Sequence, residues 1–219
     1  MQPSNPCTPE TYRELEVRVG VLMHIAEVIR LSALLTHYMV QRVKRQKDVV
    51  GATYLPELCV LLDRVQDHDA SKLKVEEWDP FYAATIALAA APLGTPEYQQ
   101  ALEEFNKALG KHYVRNEHHP EHFPNGIKDM FADGQVTSFL IEMCVDIYAS
   151  SRVPCDDVIT WDMQIKALIQ RFDISSEEAA VIDNLMQIIH AADMEDLTHK
   201  ISTMENVMEG SEGWSGGLS

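Results

Sequence analysis

The adjacent residues His68 and Asp69, in the run Gln66-Asp-His-Asp-Ala-Ser-Lys72, can offer one imidazole nitrogen and one carboxylate oxygen to the same divalent ion. Such a pair is common by chance, so its meaning depends on partners elsewhere. Glu117-His118-His119-Pro120-Glu121-His122 is a second concentration of ligating side chains. Other candidates lie on apolar helical stretches: His37 on the first, and His112 on the face that carries Phe105 and Leu109. Asp146 ends the strongly apolar run Phe139-Leu-Ile-Glu142-Met-Cys-Val-Asp146, where a carboxylate is rarely buried without a partner. Glu142, one turn earlier, shares its face. His24, also among apolar residues, reads as a core histidine. Imidazole and carboxylate together suit one or two ions of Mn, Fe, Co, Zn or Ni, with Mg also open. The cysteines (Cys7, Cys59, Cys144, Cys155) lack any Cys-x-x-Cys spacing, which excludes zinc-finger chemistry.

These residues need elements to position them, and the chain reads as almost entirely helical. Thr8-Pro9-Glu10 is a helix start: a capping hydroxyl, a proline at the first turn, then an acid near the positive end of the dipole. From there to about Lys47 the recurrence of Leu22, Ala26, Ile29, Ala33, His37 and Val40 predicts an apolar stripe bearing His37. Gly51 and Pro56 punctuate, and a second helix is expected from Pro56 to about Asp67, with Leu58, Leu61, Leu62 and Val65 inward. Residues 76–93 predict a short helix and an alanine-rich one. Gly94-Thr95-Pro96-Glu97 opens the helix of Leu102, Phe105, Leu109 and His112. Residues 118–126, with Pro120, Pro124 and Gly126, read as a loop. Further helices are expected over 135–150, 161–172 and from Ser175-Ser176 to His190. No β-rich segment, internal repeat or glycine-rich phosphate loop is visible. The expectation is one compact all-α helical bundle over 1–192. An acidic segment follows over 193–219, ending in a disordered tail. Ligands from several helices can converge inside such a bundle.

Composition narrows the function. Hydrophobic residues make up 46% and charged residues 24%, as in ordinary globular proteins. Cys59 and Cys144, in apolar helical runs, read as core thiols in a reducing compartment. No leader is visible and the apolar stretch over 81–93 is too short to span a bilayer, so a cytoplasmic protein without a membrane partner is expected. Thirty-four acidic against 18 basic residues give a net charge of −16, which argues against a nucleic-acid-coating surface. A small phosphorylated substrate stays open, because a bound dication and a few basic residues can reverse the field inside one site. A homo-oligomer also stays open.

The order His37, His68-Asp69, Asp146 resembles the HD phosphohydrolase superfamily, whose pattern is a helical His, a His-Asp pair and a distant Asp. His68-Asp-Ala-Ser-Lys72 is similar to the His-Asp-x-x-Lys of members that cleave phosphodiesters. The run 116–126 is similar to their His-His-Glu segment. The resemblance is closest to a family of small phage and bacterial proteins of unknown function. That family is marked by boxes matching His68 to Lys72, His112 to His119 and Glu142 to Asp146, with Arg171-Phe-Asp-Ile-Ser175 near the C-terminus. It covers about residues 30–190. It implies a bundle of the HD-domain type, with His37, His68, Asp69 and Asp146 as metal ligands. His112, with His118 and His119, would complete a second position. Ala33 stands where phosphodiesterase-like members carry Glu, and their Gly-Tyr-Pro signature is absent. A nucleotide or deoxynucleotide phosphohydrolase is therefore expected rather than a cyclic-dinucleotide phosphodiesterase. On that reading metal-activated water attacks phosphorus. Asp69 or Glu142 takes the proton, Lys72 and Arg115 hold phosphoryl oxygens, and Asn116 orients a ligand or the substrate. His122 serves the loop. The alternatives are an HD-type diiron oxygenase, or a non-catalytic module that binds metal, nucleotide or a host protein.

Overall fold

The computed structural model describes residues 8–132, 134–152 and 161–211. Helix α1 (Pro9–Gln46) begins as expected, with the Thr8 side chain accepting from the Thr11 N–H, and ends at Lys47 in the left-handed conformation, φ 52°. Asp48 then caps α2 (Val49–Arg64) by accepting from the Gly51 N–H. A Cβ at Gly51 would lie 2.8 Å from Asp48 Oδ2 and 3.3 Å from Met39 Cε, so the cap and the close approach to α1 both require glycine there. With a cap available at Asp48, α2 starts well before Pro56, which is accommodated inside it at an exposed position. The two-residue connection folds α2 back along α1.

Which stripe of α1 faces inward differs from the expectation. Val21, Val28, Leu31, Ser32, Leu35 and Met39 are buried. Leu22 is 51% exposed, and Ala26, Ala33 and His37 are exposed as well. The helix is apolar around much of its circumference, enough by length and composition to cross a membrane. Two stripes therefore satisfy the 3–4 spacing, and periodicity cannot choose between them.

The segment expected to hold two helices forms one, α3 (Val75–Ala90), which pairs with α4 (Pro96–Arg115), itself capped by Thr95. Short 3₁₀ turns follow over Pro120–His122 and Gly126–Met130. Phe131–Ala132 and Gln135–Val136 pair antiparallel as two-residue strands, β1 and β2. Helix α5 (Ser138–Ser151) is the centre of the bundle, with Leu140 to Val145 and Ile147 to Ala149 all buried. It packs on α1, α2, α6 (Trp161–Phe172) and α7 (Ser176–Ser211). The architecture is the expected compact all-α bundle. Cys144 is buried in α5, whereas Cys59 is on an exposed face of α2 rather than in the core. Helix α7 runs unbroken past 192–193, because Asp193 is itself buried. Arg30 of α1 and Arg152 after α5 both donate to its carboxylate, and the Tyr148 hydroxyl donates at 3.1 Å. The tail over 212–219 lies outside the described residues.

Candidate metal centre

At the end of α2 the chain makes a 3₁₀ turn (Val65–Asp67) and delivers His68 and Asp69 into the interior, 2% and 1% exposed. Asp69 has φ 54° and ψ 6°, a left-handed conformation that aspartate tolerates better than most residues. This bend separates the first turn from a second (Ala70–Leu73) and sends the carboxylate back beside His68.

The two oxygens of that carboxylate face different sets of side chains. Oδ2 is 3.7 Å from Nε2 of both His24 and His68. Asp146 Oδ1 completes this side, 2.9 Å from His24 Nε2 and 4.0 Å from His68 Nε2. Oδ1 of Asp69 is 2.8 Å from His112 Nε2 and 3.4 Å from His118 Nε2. His119 closes the second group, whose ligand atoms all lie within 4.8 Å of one another. Atoms that each sit about 2.1 Å from one ion stand roughly 3–4 Å apart, so both groups have ligand spacing.

Five atoms of these groups are buried with no hydrogen-bond partner: Nε2 of His68, His112, His118 and His119, and Oδ1 of Asp69. Even the 2.8 Å approach of His112 to Asp69 lacks hydrogen-bond geometry. Burying so many unpaired polar atoms at one point is costly unless a cation satisfies them. The residues present therefore fit a metal.

At His68 and His112 the other ring nitrogen is occupied. His68 Nδ1 is 3.0 Å from Glu142 Oε1, and His112 Nδ1 is 3.0 Å from Glu77 Oε2. A carboxylate on Nδ1 fixes the tautomer and turns the Nε2 lone pair toward the ligand position. Glu142 also receives Arg64, which bridges to Glu117 at 2.7 Å. Glu77, from α3, accepts from the Ser71 hydroxyl at 2.9 Å and from Arg115 at 3.2 Å. Asn116 donates to the His112 carbonyl at 2.7 Å and to Ser71 at 3.1 Å.

Electrostatics favour bound cations. Burial works against ionisation of Asp69, but the close imidazoles of His112 and His118 and the charge of Lys72 outweigh it and hold the carboxyl well below the usual range. Burial is likewise overcome at Asp146, chiefly by the hydrogen bond from His24. Burial and the neighbouring His118 push His119 down to about 2, leaving a neutral imidazole whose lone pair is free to coordinate.

The structure brings His68, Asp69, His112, His118, His119 and Asp146 together. It does not bring His37 to them. That residue lies on the outer stripe of α1, in a groove with Tyr38 and His199. His24 takes the place expected of it, being 13 positions earlier, about 20 Å along the axis and on another face. Glu142 is 2% exposed and turned to His68 and Arg64, and with His68 and His118 it makes a further group of ligand atoms within 4.8 Å of one another. Arg115 pairs with Glu77, the carboxylate that also holds His112 Nδ1, and lines a separate groove between α3 and α4. A cleft of about 550 Å³ opens beside His24, Asp69, His119 and Asp146; Asn116 is tied to His112 and does not line it. Lys72 does line it, with its Nζ 2.5 Å from Asp69 Oδ2. His122, in the loop, donates from Nδ1 to the Val114 carbonyl at 2.9 Å. Sequence reasoning missed His24, Glu77, Arg64 and Arg171. Arg171 stands in a second, 290 Å³ cleft that shares His119 and Asp146, where it meets Glu121 at 2.6 Å.

The chain belongs to a family of unknown function (DUF5662), whose model matches residues 13–195. No curated protein and no solved structure matches it.

Proposed function

We propose that this member of the family is an HD-type, metal-dependent phosphohydrolase acting on a small phosphorylated substrate, a nucleotide or deoxynucleotide. The observation that carries the reading is Asp69: its Oδ1 faces the buried, unpartnered Nε2 atoms of His112 and His118, while its Oδ2 faces His24 and the unpartnered Nε2 of His68. Two divalent ions there would supply a hydroxide nucleophile near neutral pH and neutralise phosphoryl charge. The chain's own residues do the rest. His24, His68 and Asp146 would hold one ion, and His112, His118 and His119 the other. Glu142 and Glu77 keep the imidazoles aimed. Lys72, at the cleft edge beside Asp69, is placed to take a phosphoryl oxygen and offset the charge that develops on it.

A second reading, oxygen activation by a diiron pair, draws on the nitrogen-rich donors, five imidazoles beside Asp69 and Asp146. Both are tested on the purified protein. Bound metals are measured, and phosphate release is then screened across nucleotides with added Mn, Co or Mg. Release that disappears in Asp146→Ala is expected. Bound metal with no release from any phosphorylated compound would sink the hydrolase. Iron content, a visible absorption band and oxygen consumption would identify the oxygenase.

A further inference from the structure

The cleft that opens from the metal ligands is about 550 Å³, within the range of small-molecule sites, and its two ends are unlike. His24, Asp69, Asp146, His119 and Lys72 gather at one end. Val17, Val21, Phe81, Phe105 and Leu109 line the other. Phe81 from α3 and Phe105 from α4 meet there with ring centroids 5.9 Å apart, tilted by 40°. A phosphoryl group needs only the charged end. The apolar end needs another occupant, and it is continuous with the site of reaction.

Gly20 decides what that occupant is. It sits in the interior of α1, where glycine is the least favourable residue after proline. A Cβ there would meet nothing within 4 Å and the position has no positive φ, so neither packing nor backbone conformation calls for glycine. It lines the cleft one turn before His24. Helical side chains lean toward the N-terminus, so any side chain at 20 would fill the Val17 side, the apolar end, and leave the metal ligands alone.

We propose that Val17, Gly20, Val21, Phe81, Phe105 and Leu109 form a subsite for a flat, uncharged ring on the phosphorylated substrate, a nucleobase or aryl group, and that Gly20 keeps it open. This rests on the phosphohydrolase reading. The aromatic wall supplies contact area for the ring, and the charged end meets the phosphoryl group alone.

The test compares 1-naphthyl phosphate with ethyl phosphate in the metal-loaded full chain and its Gly20→Leu variant. Leucine favours helix, so folding is not threatened, and metal content confirms an intact centre. The ratio of kcat/KM for the naphthyl ester to that for the ethyl ester should fall at least about tenfold, through KM, as expected for lost ring burial. Phe105→Ala should lower the same ratio. An unchanged ratio in Gly20→Leu overturns the subsite. If wild-type protein with bound metal turns over neither ester and no nucleotide, the phosphohydrolase reading fails. The subsite is then read from the fluorescence of bound 1-naphthyl phosphate. Weaker binding to Gly20→Leu than to wild type supports it, and equal binding overturns it.

Discussion

His24 and His37 look alike in sequence and differ completely in place. Both are flanked by apolar residues on one long helix, and only the choice of stripe separates a ligand from an exposed side chain. His24 continues the buried series Val28, Leu31, Leu35, Met39, whereas His37 continues the exposed series Leu22, Ala26, Ala33. The expected consequence is sharp. His24→Ala should lose one equivalent of bound metal, since its Nε2 lies 2.9 Å from Asp146, and His37→Ala should keep full occupancy. Elemental analysis of the two purified variants decides it, and equal metal in both would overturn the assignment. Glu77 acts one step further out. Glu77→Gln keeps the shape but removes the charge that orients His112. A chelator competition should show affinity weakened by about 10–100-fold, not abolished. Nothing in a lone glutamate at the start of α3 marks that role in sequence, because it depends on packing between α3 and α4.

At the scale of elements, one feature of the sequence could have found His24. Only Lys47 and Asp48 separate α1 from α2, so residues on the two helices pass one another nearly one for one. Position 68, about twenty past the turn, must return beside the mid-twenties of α1, and residue 37 is too close to the turn to be reached. The Asp48 cap that fixes this register was readable; Gly51 and Pro56, taken as punctuation, hid it. Helix α5 was legible for the opposite reason: an unbroken apolar run can only be central, and a carboxylate inside it must be partnered. The same burial pushes the Cys144 thiol up to about 12. At pH 8 the group stays protonated and enclosed, so native protein treated with iodoacetamide should be modified at Cys59 and spared at Cys144. Peptide mapping before and after unfolding reads this out, and native labelling of Cys144 would mean that α5 opens readily.

For the whole molecule, the candidate metal centre is a tie between elements distant in sequence. Its ligands come from α1, the turn after α2, α4, the loop after it and α5, and they gather carboxylates in a chain already at −16. Ions that bind this folded arrangement and not the unfolded chain stabilise it by about 2.7 kcal/mol at one hundred times the dissociation constant. For a chain of this size that corresponds to a rise in Tm of roughly 5–10 °C. The Asp193 network is a separate tie, made through Tyr148 on a different side of α5 from Asp146. Asp193→Asn removes the carboxylate that Arg30 and Arg152 share, at a cost of about 1–2 kcal/mol because both arginines are part-exposed and keep Glu27. Thermal melts of wild type, Asp146→Asn and Asp193→Asn, each with chelator and with added metal, separate the two. Asp193→Asn should melt lower in both conditions and keep the metal-dependent rise. Asp146→Asn should lose much of that rise, because only the charge that holds an ion has gone. An undiminished rise in Asp146→Asn would show that metal stabilises the bundle from somewhere other than this cluster.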